Sequence, residues 1–153
     1  MKAAIASALV ALLACSAAHA KDSPLAKTAR EGDLLGIWRR DCAKPTSREN
    51  WGMVYTATVG GVQMIDDGGA DTNFRPSEVT SIKRAGAGAG RLAVVRIDED
   101  GKPMHVLIET HGGRLRVLQS SGFEDGKPAT YIKDGRFTED GRETPWFNRR
   151  GPG

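Results

Sequence analysis

From Leu34 onward, short apolar runs alternate with glycine-containing turns at intervals of about 8–12 residues, a rhythm that points to an antiparallel sandwich or barrel. The runs are 36–41, 53–59, 62–66, 78–84, 91–98, 103–110, 114–121, 129–133 and the pair Trp146-Phe147. Gly60-Gly61, Asp100-Gly101, Gly112-Gly113, Asp125-Gly126, Asp134-Gly135 and Asp140-Gly141 punctuate them. Asp-Gly and Gly-Gly pairs supply the positive φ values that two-residue hairpin turns need. Connections this tight join neighbouring strands. The expected fold is therefore all-β: about eight antiparallel strands in an up-and-down barrel, preceded by a short N-terminal segment or helix. Closure removes the exposed edges of such a sheet. An eight-strand barrel is just wide enough to be filled by side chains or to hold one small ligand.

Within the runs the alternation is partial. Met104, Val106 and Ile108 share one face, with His105, Leu107 and Glu109 on the other. Leu115, Val117 and Gln119 oppose Arg116, Leu118 and Ser120. One apolar and one mixed face suits a sheet wrapped round a core and wetted outside. Residues 86–90 alternate Gly and Ala and predict a loop, because glycine loses most entropy on ordering. The loops around Asp67 and Gly86 are expected to form the barrel mouth. Pro45, Ser47 and Asn50 are turn formers and make 41–50 a loop at one barrel end.

Ahead of the barrel stands an export leader. Lys2 is a positive n-region, residues 3–14 are apolar and uncharged, and Ala18-His19-Ala20 offers small residues at the two positions a signal peptidase reads. The run is too short to span a bilayer, which takes about 20 apolar residues. Residues 1–20 are thus expected to be a signal peptide cleaved after Ala20, residues 21–34 a linker or short helix, and residues 35–150 one barrel domain in the periplasm or secreted. A second reading uses the same segment. Leu12-Leu13-Ala14-Cys15 has the shape of a lipobox, and Cys15 would then be lipidated and anchor an outer-membrane lipoprotein.

The net charge of +3 falls to +2 once Lys2 leaves, and the basic residues are scattered, so no nucleic-acid partner is expected. Cys42 is the only cysteine outside the leader. It is a free thiol with no internal partner, expected to be buried as a small hydrophobe in a monomer, the alternative being an intermolecular bridge in an oxidising compartment.

Enzyme chemistry is not expected. There is no His-Glu-x-x-His, no Gly-x-Ser-x-Gly and no phosphate-cradling glycine loop. His105 and His111 are six apart across a strand end, which is no standard metal spacing. The acidic run 66–73 has oxygen ligands that suit Ca²⁺ but lacks a closing Glu, and its residues are ordinary turn formers. No cofactor and no metal is expected.

Leu35-Gly36-Ile37-Trp38 resembles the start of lipocalin-like and avidin-like barrels. That resemblance implies that Trp38 plugs the barrel bottom beneath a basic side chain from the last strand, here Arg149 or Arg150. Gly36-Ile37-Trp38, then Asp41-Cys42, Lys44-Pro45, Ser47 and Asn50, is similar to the opening of a family of small exported proteobacterial proteins of unknown function. Tyr131-Ile132-Lys133-Asp134-Gly135-Arg136 and Glu143-Thr144-Pro145-Trp146 resemble that family's ending. Its chains tend to finish on a Cys soon after the Trp, where this chain has Asn148-Arg149-Arg150. The family implies a barrel-like envelope protein and no chemistry.

Two functions follow as expectations. In the first, a lipocalin-like envelope barrel holds an apolar or amphipathic ligand in its lumen, lined by Trp38, Met53, Tyr55 and Met104. In the second, a packed barrel acts on an envelope protein as an interaction or inhibitor module, with residues 21–33 as a projecting arm.

Overall fold

The computed structural model describes residues 23–70, 76–86 and 90–151. Cys15, Ala18 and Ala20 lie outside them, as do residues 71–73 of the acidic run and 87–89 of the Gly/Ala run. The elements in chain order are α1 (Pro24–Glu31), β1 (Gly36–Arg39), β2 (Gly52–Thr58), β3 (Gly61–Asp67), β4 (Ser77–Arg84), β5 (Arg91–Ile97), β6 (Pro103–His111), β7 (Arg114–Glu124), β8 (Lys127–Lys133), β9 (Arg136–Phe137) and β10 (Phe147–Arg149). All strand pairs are antiparallel, and β1 to β9 pair in sequence order. The three-residue β10 lies between β1 and β7, with Trp38 opposite Arg149 and Leu115 opposite Phe147. It closes an eight-strand barrel of β1–β7 and β10. The run 129–133 therefore does not serve as the eighth stave. β8 and β9 leave the upper half of β7 as a hairpin outside the barrel.

Two turns explain that hairpin. Asp125-Gly126 and Asp134-Gly135 both have positive φ at both residues, the geometry that matches strand twist in two-residue loops. Thr144 holds the returning segment. Its Oγ1 donates to the Val117 carbonyl at 2.7 Å, and its N–H donates to the Gly135 carbonyl at 2.8 Å.

Beta-bulges set which residues face inward. Extra residues at Thr80, Leu118 and Tyr131 break the pairing of their strands. Each extra residue swaps the faces of everything after it. Leu115 and Val117 pack with the core, but beyond Leu118 the inward residue is Ser120 and not Gln119. Leu118, 9% exposed, lies outside the core beneath the Gly135 turn.

The core is one continuous cluster that includes Trp38, Met53, Tyr55, Val62, Met64, Leu92, Ile108 and Phe147. α1 seals one end. Ser23 caps it by accepting from the Ala26 N–H at 3.1 Å, and Pro24 takes the first helical position. Eight residues make a marginal helix alone. Ala26, Ala29 and the following Leu34, all within 1% exposure, supply the packing that holds it. Residues 24–31 are therefore a seated plug and do not project as an arm. Their apolar spacing is too useful to the barrel end to be left in water.

A meander also places successive connections at opposite ends. The β3–β4 connection after Asp67 lies with the 40–51 loop at the end away from α1. The β4–β5 connection around Gly86 lies at the α1 end, where Arg84 donates to the Glu31 carbonyl. The loops around Asp67 and Gly86 thus do not form one mouth.

Candidate functional site

The inward layer nearest the end away from α1 departs from the apolar core. On β2 it carries Met53 and Tyr55, each 3% exposed. Asp66 stands opposite Met53 on β3, and Ser77 opposite Met64 on the β3–β4 pair. Arg96 stands opposite both Val79 and Met104. The strand parity explains Arg96: Leu92 and Val94 are inward and buried, and the guanidinium continues their row. Met104 is half-buried, and the bare α-carbon of Gly122 faces it from β7. Three of the four residues expected to line the lumen, Met53, Tyr55 and Met104, therefore share one layer with Asp66, Ser77 and Arg96.

Arg96 is incompletely satisfied. Its Nη1 donates to Ser77 Oγ at 3.0 Å and lies 3.5 Å from Asp66 Oδ2. The second contact is loose, since charge-assisted N–H···O bonds run to about 2.7–2.9 Å. Among the described residues, Nε and Nη2 take no partner, and Nε is fully buried. An unmade hydrogen bond of a buried donor costs about 1–3 kcal/mol. Arg39 and Arg149 also leave Nε unpaired. Arg39 reaches Asp67 at 3.1 Å, and Arg149 spends both Nη atoms on Asp33. Of the three, Arg96 is the one whose register places it beside Met104 in this layer.

Burial pushes the Asp66 carboxyl above 3.8, its ordinary value; Arg96 opposes this and Glu99 adds to it. Burial likewise pushes the Tyr55 hydroxyl up. The sign for Asp66 follows from proton binding. A carboxyl raised in the folded state holds its proton there longer than in the unfolded chain, so its contribution to stability falls as pH rises through the raised value. Asp66→Asn should therefore gain on the wild type as pH goes from about 4 to 7, in urea unfolding at fixed ionic strength. A stability difference that is flat across that window would remove Asp66 as a perturbed group.

A second feature borders the same end. Asn50, 6% exposed, accepts from the Asp41 N–H and donates to the carbonyls of Asp41, Lys44 and Pro45. Ser47 Oγ accepts from the Asn50 N–H and donates to Glu49. These groups hold the 41–50 loop in shape and are spent on it, which leaves neither Ser47 nor Asn50 free to ligate an anion. The loop and Pro145-Trp146 flank a groove of 540 Å³. Trp146 lies under the guanidinium groups of Arg114 and Arg116, each 4.7 Å from its ring centroid.

Trp38 is 0% exposed, donates from Nε1 to the Leu34 carbonyl at 2.8 Å, and carries Arg149 over its ring at 4.6 Å. Cys42 is exposed, which corrects the expectation of burial. It sits on the outside of the Asn50-held loop, with its thiol 3.6 Å from the Asn148 carbonyl. Cys42 should react with a thiol reagent in native buffer as fast as in denaturant, and Cys42→Ser should leave the melting midpoint unchanged. Protection in native buffer would refute the exposed position. Asp66 and Asp67 of the acidic run face Arg96 and Arg39, and no group of three or more metal-ligating side chains occurs among the described residues.

Sequence reasoning missed Arg96 and Ser77, and it read Asp66 as part of a calcium-suited run and not as the partner of Arg96. Their signal was there: Leu92, Val94 and Arg96 share one parity, as do Met64 and Asp66. A charge on the buried parity of a strand marks a site, and only the register was missing. The chain matches no known family model, and searches of curated proteins and of solved structures return no match.

Proposed function

We propose that this protein is an exported envelope barrel that holds a small amphipathic ligand at the end away from α1. The observation that carries the reading is the inward Arg96, whose Nε and Nη2 take no partner among the described residues, beside Met53, Tyr55 and Met104. A layer that is apolar on its walls and cationic at one point matches an amphipathic molecule. The ligand then sits shallow, because Trp38 and the core below leave the deeper barrel packed. Native mass spectrometry of protein made with its own leader and purified gently from the envelope tests this. A discrete extra mass lost on denaturation is the expected result, and a bare polypeptide overturns it. The same spectrum reads the mature N-terminus: Lys21 for cleavage after Ala20, or a diacylated Cys15.

The groove beside Trp146 favours a second reading, an interaction module. Its walls are preformed by the Asn50 network, and it needs no lumen. A photocrosslinker at Glu49 would then give an adduct in the envelope that the same group at Val59 does not.

A further inference from the structure

We infer that the head group bound at the end away from α1 is a carboxylate, gripped side-on by Nε and Nη2 of Arg96. This rests on the amphipathic-ligand reading and goes beyond it by naming the head group.

The geometry is that of a guanidinium with one edge in use. Nη1 is taken by Ser77 and, loosely, by Asp66. Among the described residues Nε and Nη2 remain without a partner, and those two N–H groups lie parallel on one edge of the planar fork. Two parallel donors match the two oxygens of a carboxylate, a pairing that an ammonium cannot reproduce. The positive charge is also undercompensated, since Asp66 stands at 3.5 Å and its burial works against its ionised form. An incoming carboxylate gives the orphaned Nε its partner and competes with Asp66 for the same cation.

Access and lining fit the same ligand. The Arg96 side chain is 15% exposed although its Nε is closed off, so a carboxylate reaches Nε only when a neighbouring side chain moves. Met104 stands directly across from it, with Gly122 beyond. An unbranched thioether with three rotatable bonds is the neighbour best able to swing aside, and it then offers apolar contact to the tail. Tyr55 and Met53 supply the rest of the apolar wall.

The test compares head groups on one chain length. Decanoate, decanol, decyltrimethylammonium and decyl phosphate are titrated by calorimetry into delipidated mature protein, as wild type, Arg96→Lys, Arg96→Met and Asp66→Asn. Decanoate is expected to bind wild type best. Both Arg96 variants should weaken it by about tenfold or more, the scale of losing hydrogen bonds to a charged group. Arg96→Lys separates fork from charge, because it keeps the cation and loses the parallel donors. Asp66→Asn removes the competitor and should tighten decanoate. Equal binding of decanol and decanoate, or full retention in Arg96→Lys, overturns the carboxylate while leaving the amphipathic-ligand reading intact. Tighter binding of decyl phosphate overturns the planar head group. Binding of none of the four overturns both. Should Arg96→Met unfold, the head-group series on wild type decides alone.

Discussion

Trp38→Ala is expected to lower the free energy of unfolding by about 3–5 kcal/mol, the cost of a large cavity in a packed core. For a domain of this size that is a fall of about 10–20 °C in melting midpoint. Three separate losses fall on one residue. The indole is fully buried at the heart of the core cluster. Its Nε1 ties β1 to the Leu34 carbonyl just after α1. Its face receives Arg149 from β10, which in turn reaches Asp33 through both Nη atoms. The plug helix, the first strand and the closing strand therefore meet on this one ring. Trp38→Phe keeps most of the volume but loses the donor and part of the stacking face, and should cost about 1–3 kcal/mol. An unchanged midpoint for the alanine variant would end the plug interpretation.

Gly90→Ala should cost about 2–4 kcal/mol, combining strain at an unfavourable φ with lost hydrogen bonds. Gly90 has φ +93, and a Cβ there would run into the backbone carbonyl of Thr110. That carbonyl cannot retreat easily. The Thr110 N–H donates to the Gly90 carbonyl at 2.6 Å, and its Oγ1 lies 3.2 Å from the carbonyls of both Gly90 and Gly32. Thr110 thus joins β6, the start of β5 and the end of α1 at a buried point. Pushing it away should loosen the helix plug as well as the hairpin. Gly86→Ala is the control. Its φ is +77 but no described residue stands within 4 Å, so it should carry only the left-handed cost of about 1–2 kcal/mol. Equal denaturation midpoints for the two variants would show that the contact with Thr110 is not what makes Gly90 costly to replace.

The strands and turns of this barrel were legible because their determinants are local. Asp125-Gly126 and Asp134-Gly135 announce tight hairpins wherever they stand, and the meander follows from the shortness of the connections. The identity of the closing strand was not legible. Phe147–Arg149 is three residues long, and what makes it a stave is pairing with Gly36–Arg39 and Arg114-Leu115, far away in sequence. The inward set was hidden for a related reason. Single extra residues at Thr80, Leu118 and Tyr131 exchange the faces mid-strand, so Ser120 replaced Gln119. Met53, Tyr55 and Met104 lie on β2 and β6, which carry no extra residue, so their inward parity is legible from the alternation alone. Arg96 could not be placed with them until the register tied it to Met104. Cys42 was misjudged because residue type alone argues for burial, whereas the neighbouring Asn50 takes the interior position of that loop.

The latch of the barrel arrives late. Arg149 pairs with Trp38 from about 110 residues further along, the kind of distant contact that slows folding. Synthesis from N- to C-terminus delivers β1 early and β10 after every other stave. Until residues 147–149 emerge, β1 and β7 each present a bare edge, and Arg149 is not yet stacked on Trp38. A chain emerging in order therefore stays an open sheet until nearly all of it is out. A chain cut short before Phe147 is not a smaller barrel but a sheet with two sticky edges, ready to polymerise.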